Sequence, residues 1–69
     1  MNGFTRRTKE KMETIEEATI SLLDLGIDNI KIADIAAKAM VSQVSIYNYY
    51  GSKDKVIKAA FERLMNNQI

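Results

Sequence analysis

Uncharged polar and aromatic side chains gather in one short stretch of this chain. Residues 39–52 contain no charged residue, although 28% of the whole chain is charged. An exposed helix face usually carries Lys and Glu, whereas Gln and Asn amides pair two-pronged with adenine and an apolar methyl group can rest on thymine. Tyr hydroxyls can donate to phosphate oxygens. The stretch therefore favours contact with DNA, the alternative being half-buried tyrosines and polar groups that only cap a helix.

The segments around this stretch are patterned as helices. Apolar residues recur at three- and four-residue steps, which is typical of amphipathic helices, and no segment alternates with period two. The predicted helices run from Thr5 or Thr8 to Leu25, from Ile32 to Ala39, from Gln43 to Tyr50, and onward from Ser52. The sequence predicts an all-α fold: a small helical bundle with a helix-turn-helix, in which a three-helix homeodomain-like core precedes the start of a fourth helix.

Capping residues mark the ends of these predicted helices. Thr5, Thr8, Ser42 and Ser52 are candidate N-caps, and Gly26 is expected to end the first helix. The residues predicted to face inward, helix by helix, are Met12, Ile15, Ala18 or Thr19, Leu22 and Leu23; Ile32, Ile35, Ala36 and Ala39; Ile46 and Tyr50 with Val41; and Val56, Ile57, Ala60, Phe61 and Leu64. This packing leaves the uncharged polar residues on the outer face of the third helix.

Composition limits the function classes. The 69 residues suffice for one domain. The absence of Cys and His excludes disulfides and thiolate metal sites and removes the commonest general base. No nucleophile, base and orienting group form a constellation, so an enzyme is the least favoured class, and we expect no metal and no cofactor. No apolar run reaches the ~20 residues that span a bilayer, so we expect a cytoplasmic protein that does not contact membranes.

Charge is distributed unevenly along the chain. The net charge is only +1, but residues 1–11 carry four cations against one acid, and residues 13–28 carry five acids and no base. A basic arm suits DNA phosphates. A solvated helix with acids and bases on its exposed face would give the same pattern, so the arm alone does not decide the function.

The stretch from Gly26 to Ile57 resembles the DNA-binding domain of the TetR family of bacterial transcriptional repressors. The matching residues are Ile35-Ala36, Val41-Ser42, Ser45-Ile46-Tyr47-Asn48-Tyr49-Tyr50 and Ser52-Lys53, with Ala18, Leu22 and Gly26 at the spacing of the family's first helix. The resemblance extends over about residues 12–65. Each piece is weak alone, but the combined string is specific.

The resemblance implies sequence-specific binding of double-stranded DNA by the reading head of a repressor, with the third helix in the major groove. It implies base contacts by Gln43, Val44, Ser45 and Asn48, phosphate contacts by Tyr47, Tyr49 and Lys53, a backbone contact near Lys31, and contact of flanking DNA by Arg6 and Arg7.

Members of this family continue into a larger C-terminal helical domain that binds a small molecule and dimerises. We therefore predict that residues 1–69 form a single helix-turn-helix domain, without the ligand-binding and dimerisation domain and without a small-molecule pocket. A homodimer is expected for a full-length protein but not from this chain alone, and a single module should bind DNA weakly.

Three residues depart from the family pattern. Lys31 stands where a capping Thr is usual, so either Asn29 caps the second helix slightly earlier or Lys31 trades the cap for a phosphate contact. Met40 stands where Gly is common, which predicts either a left-handed Met or a different turn. Val44 replaces a small residue and would fill space against a base.

The tyrosine-rich face also fits a second class, a small helical module that binds another protein, because Tyr is enriched in the hot spots of such interfaces. Lys53 favours DNA over this alternative. It stands at the start of the fourth helix, where a free cation opposes the helix dipole and an anionic partner would explain it. A protein partner requires neither Lys53 nor the basic arm.

Overall fold

Four helices and two 3₁₀ turns make up the part of the chain that the computed structural model describes, the backbone of residues 2–66 and the side chains of residues 6–66. The helices are α1 (Asn2–Ser21), α2 (Ile32–Ala39), α3 (Gln43–Tyr50) and α4 (Lys53–Asn66), and the 3₁₀ turns Leu23–Leu25 and Ile27–Asn29 join α1 to α2. Both α1 and α3 pack against α2 and α4. Residues 2–66 contain no strand, so the predicted all-α class is confirmed.

The hydrophobic core lies where the four helices meet, and each helix contributes to it. Its fully buried large side chains are Ile15, Ile30, Ile35, Ile46 and Val56. Enclosing one such side chain contributes about 1.5–3 kcal/mol. Ile30, in the connection between α1 and α2, is the one of these five that the sequence did not predict.

Most of the predicted inward positions are confirmed. The buried ones are Ile15, Ala18, Thr19, Ile32, Ile35, Ala36, Ala39, Ile46, Val56, Ile57 and Ala60. The half-buried ones are Met12, Leu22, Leu23, Val41, Tyr50 and Leu64. The prediction for Phe61 is wrong, because its side chain is 37% exposed. The adjacent Ala60 is completely buried, so this turn of α4 does pack on the core and Phe61 lies outside its buried face.

The predicted bounds of the first helix are also wrong. α1 extends from Asn2 to Ser21, so Thr5 and Thr8 lie inside it and cannot be its N-cap. Beyond Ser21 the chain tightens: the amides of Leu25 and Gly26 each donate to the carbonyl oxygen three residues earlier, at 3.0 Å. These are 3₁₀ bonds, which commonly finish an α-helix. Gly26 does end this segment, with φ of 92°.

The serines at the starts of α3 and α4 act as predicted. Ser42 Oγ accepts a hydrogen bond from the amide of Ser45 at 3.1 Å, and Ser52 Oγ accepts one from the amide of Lys55 at 3.3 Å. An N-cap of this kind contributes about 1 kcal/mol. The start of α3, which the DNA hypothesis depends on, is therefore fixed by its own cap.

The turn between α2 and α3 confirms the first of the two possibilities for Met40. Its φ is 62° and its ψ is 41°, in the left-handed region. The amide of Val41 donates to the carbonyl oxygen of Ala36 at 3.0 Å, and the amide of Met40 donates to that of Ala37 at 3.3 Å. This is the Schellman ending of a helix, which usually has Gly at the left-handed position. The fold thus keeps the expected turn at a cost in backbone strain.

Candidate nucleic-acid interface

The outer face of α3 is exposed and uncharged. Ile46 is the one residue of α3 that is buried, while Gln43, Val44, Tyr47 and Asn48 are exposed. Val44 is 67% and Tyr47 is 48% exposed, which is unusual for apolar and aromatic groups in a domain with so few core residues. Amide, methyl and phenol groups are therefore presented together, as contacts with base edges and phosphates require.

Two further residues of the predicted site are less accessible. Ser45 is half-buried, and its hydroxyl shares a hydrogen bond of 3.0 Å with the hydroxyl of Ser42. Tyr49 is half-buried and packs against the core, so Tyr47 and Tyr49 do not lie on the same face. Ser45 and Tyr49 are consequently placed at the edges of the exposed α3 face.

Lys53 is held by the protein itself, which corrects the view of it as a free cation. Its Nζ donates to the carbonyl oxygen of Ile30 at 3.1 Å, at the end of the second 3₁₀ turn. An ammonium group has three N–H donors, so two remain for another acceptor. The bond also brings Lys53 close to the residue that precedes Lys31.

No side chain caps the start of α2. Lys31 occupies the N-cap position and makes no capping hydrogen bond. Asn29 does not replace it: its Nδ2 donates to the carbonyl oxygen of Leu25 at 2.7 Å, and its Oδ1 accepts no hydrogen bond from the first amides of α2. The first amides of α2, the exposed Lys31 and the ammonium group of Lys53 are thereby grouped at one corner of the domain, an arrangement that attracts anions.

The basic arm lies along the N-terminal part of α1. Arg6, Arg7 and Lys11 are exposed. An open cleft of about 310 Å³ separates this part of α1 from the turn before α3, and its lining includes Arg7, Lys11 and Met40. The sequence did not single out Lys11. Its spacing of four residues from Arg7 on one helix face was the available signal.

The hydroxyl of Tyr50 ties the end of α3 to α1. It lies 2.6 Å from Glu16 Oε2 and 3.1 Å from the carbonyl oxygen of Met12. Burial, and then the hydrogen bond and negative charge of Glu16, raise the pKa of Tyr50 well above its ordinary value of 10.0. The phenol therefore remains a neutral donor at any ordinary pH, which fits its predicted place on the inner edge of α3.

The family comparison decides what this helix-turn-helix is. Residues 15–60 match the model of the bacterial regulatory proteins of the tetR family. The chain belongs to the TetR family. The matched region contains α2, α3, the left-handed turn between them and most of the core of this TetR-family domain.

A curated relative supports the same assignment. The chain is 34% identical, over 65 residues, to the protein named uncharacterized HTH-type transcriptional regulator YvdT of Bacillus subtilis (strain 168). The alignment covers 93% of this chain and 34% of that relative, so the chain spans about a third of its length. No solved structure gives a significant match. The two matches support a helix-turn-helix domain that binds DNA in transcription regulation.

None of the helices within residues 2–66 is both long enough and apolar enough to cross a membrane.

The predicted roles of individual side chains in contacting DNA stay predictions.

Proposed function

We propose that this TetR-family domain binds double-stranded DNA sequence-specifically, with α3 lying in the major groove. In this proposal Gln43, Val44, Ser45 and Asn48 contact bases, and Tyr47, Tyr49, Lys53, Lys31, Arg6 and Arg7 contact phosphates. The observation that carries the proposal is the exposed, uncharged outer face of α3, with cations beside it rather than on it.

The distribution of charge supports a division between base reading and phosphate binding. α3 has no charged residue, and the cations nearest to it in sequence are Lys38, in the last turn of α2, and Lys53, the first residue of α4. Phosphate contacts set the register and orientation of a protein on the duplex, while base edges carry the sequence information. A cation at each side of a neutral reading helix suits this division.

The bond between Lys53 and Ile30 gives the phosphate site its rigidity. A lysine held by one carbonyl oxygen loses less rotamer freedom on binding than an unrestrained surface lysine. Its remaining donors and the uncapped amides of α2 can then meet one phosphate group. We expect Lys53 to contribute more to DNA affinity than an exposed lysine of the same helix such as Lys58.

The test compares two kinds of substitution by fluorescence anisotropy on several labelled duplexes over a range of salt. Lys53→Ala should weaken binding to all duplexes alike and reduce the slope of log K against log salt by about one. Asn48→Ala should change the preference between duplexes and leave the slope as it was. Lys58→Ala is the matched control and should leave both properties unchanged.

Identical effects of Lys53→Ala and Asn48→Ala on every duplex would refute the division of roles. A wild-type domain that binds no duplex, but binds another protein independently of salt, would favour the interaction module instead.

The remaining parts of the proposal are a repressor rather than an activator role, a cytoplasmic location, a chain that is no enzyme and uses no cofactor, and a homodimer in the full-length protein. The two DNA-binding domains of that homodimer would meet DNA about one turn apart.

A further inference from the structure

One carboxylate connects the end of α3 to both α1 and α4. Glu16 Oε2 lies 2.6 Å from the hydroxyl of Tyr50, and Glu16 Oε1 lies 3.6 Å from the guanidinium group of Arg63. The hydroxyl has a single proton to donate, and an ionised acceptor makes the shorter and stronger bond. The carbonyl oxygen of Met12, at 3.1 Å, is the second choice. Tyr50 is therefore bound to Glu16.

The environment of this link strengthens it. The side chain of Glu16 is 15% exposed, while that of the neighbouring Glu17 is 68% exposed. A hydrogen bond to a charged group is worth more where water is excluded. Glu17 also pairs with Arg63, at 3.3 Å, but Glu16 alone of the two accepts from Tyr50. The two acids thus share one cation and differ in their connection to α3.

α3 depends on this link because it is the side-chain hydrogen bond that ties its end to α1, beside the core packing of the Tyr49 and Tyr50 rings. Of its eight residues, Ile46 alone is buried, and Ser42 caps its start. Directly after Tyr50 the chain leaves the helix at Gly51, whose φ is 96°. Eight residues of α-helix are about 12 Å long, so a tilt of about 5° moves one end by about 1 Å. A displacement of about 1 Å is enough to loosen a binding site.

We propose that Glu16 is a positioning residue for DNA reading: through the hydroxyl of Tyr50 it fixes the orientation of α3 against α1 and α4. Glu16 itself touches no DNA in this scheme. The inference rests on the proposed function, since it concerns the same α3 surface. Arg63 of α4 neutralises the carboxylate from the other side, so the orientation of α3 also responds to the position of α4.

The experiment uses the 69-residue chain and a duplex selected from a random pool by the wild-type domain. The variants Tyr50→Phe and Glu16→Leu each remove the link and should weaken binding roughly tenfold, which is about 1.4 kcal/mol. Because both act on one link, the double variant should be no weaker than either alone. Glu16→Gln keeps an acceptor for Tyr50 and should restore most of the affinity.

Glu17→Gln is the matched control, since it removes the negative charge that Glu17 offers to Arg63 without touching Tyr50. It should leave the affinity within twofold of the wild type. In the DNA-free state, amide NMR shifts of residues 43–48 should move in Tyr50→Phe and stay in place in Glu17→Gln. A purely structural role of Glu16 would not produce this difference.

Wild-type affinity in Tyr50→Phe would overturn the inference while leaving the proposed function intact. The inference would also be overturned if the loss of affinity in every variant, Glu17→Gln included, simply followed the loss in melting temperature. If Glu16→Leu does not fold, Tyr50→Phe decides, because it keeps the aromatic ring. If the wild-type domain selects no duplex, the proposed function fails, and the inference fails with it.

Discussion

Replacing Met40 by Gly should stabilise the domain, although it removes a side chain. Met40 is held at φ 62° and ψ 41°, and its side chain is 89% exposed, so little packing is lost. The left-handed conformation costs a residue with a Cβ roughly 1–2 kcal/mol. Gly avoids this cost but has about 0.5–1 kcal/mol more conformational entropy to lose on folding. The expected net gain is about 0.5–1 kcal/mol.

Urea and thermal unfolding followed by circular dichroism measure this gain. For a domain of 60–100 residues, about 1 kcal/mol corresponds to about 4–8 °C in melting temperature, so Met40→Gly should melt about 2–8 °C higher. The dependence of the unfolding free energy on urea concentration should stay unchanged.

Two control variants separate backbone strain from other effects. Met40→Ala keeps the Cβ and should show no comparable gain. Ala37→Gly places a glycine inside α2 and should lose up to about 1 kcal/mol. If Met40→Gly is no more stable than Met40→Ala, then strain at the turn is not the cause and the reasoning is refuted.

Three further predictions concern caps, a buried hydroxyl and a phenol. Ser42→Ala should cost about 1 kcal/mol in unfolding free energy and Ser42→Gly only a few tenths, as urea titration can show; equal losses would exclude the cap. Thr19 is completely buried, and its hydroxyl donates to the carbonyl oxygen of Ile15 at 2.8 Å, which already accepts a backbone hydrogen bond within α1. Thr19→Val should therefore change the unfolding free energy by no more than about 0.5 kcal/mol, while Thr19→Ser should lose about 1 kcal/mol because it removes the buried methyl group. The pKa of Tyr50 is raised in the folded state, so its contribution to stability is complete below pH 10 and is lost as the pH rises above that value. As the pH rises from 9 to about 11, the unfolding free energy of Tyr50→Phe should therefore fall by less than that of the wild type. Parallel curves of unfolding free energy against pH would contradict the prediction.

The bounds of α2 and α3 and the start of α4 could be predicted because local signals mark them. Ser42 and Ser52 cap α3 and α4, and the apolar spacing of α2 places Ile32 and Ala39 at its ends. Met40 was recognisable because the family pattern commonly has Gly at this position, which predicted either a left-handed Met or a different turn. These features depend on neighbours within about four residues, which the sequence displays directly.

The contacts that decide the site connect distant residues and could not be predicted. Lys53 and Ile30 are 23 residues apart, and Tyr50 and Glu16 are 34 apart. No spacing rule joins such pairs until the helices are packed. The predicted end of α1 was wrong for another reason. Apolar residues continue to Leu25, but the backbone there changes to 3₁₀ hydrogen bonds, and the apolar periodicity does not distinguish a 3₁₀ turn from the end of an α-helix.

An NMR titration of the isotope-labelled domain with a duplex, at two salt concentrations, tests the central claim most directly. The account predicts shifts concentrated at residues 43–49 together with Lys31 and Lys53, weaker at the higher salt concentration. Amides of α3 that do not move, while the domain still binds the duplex elsewhere, would contradict the assignment of α3 as the reading helix.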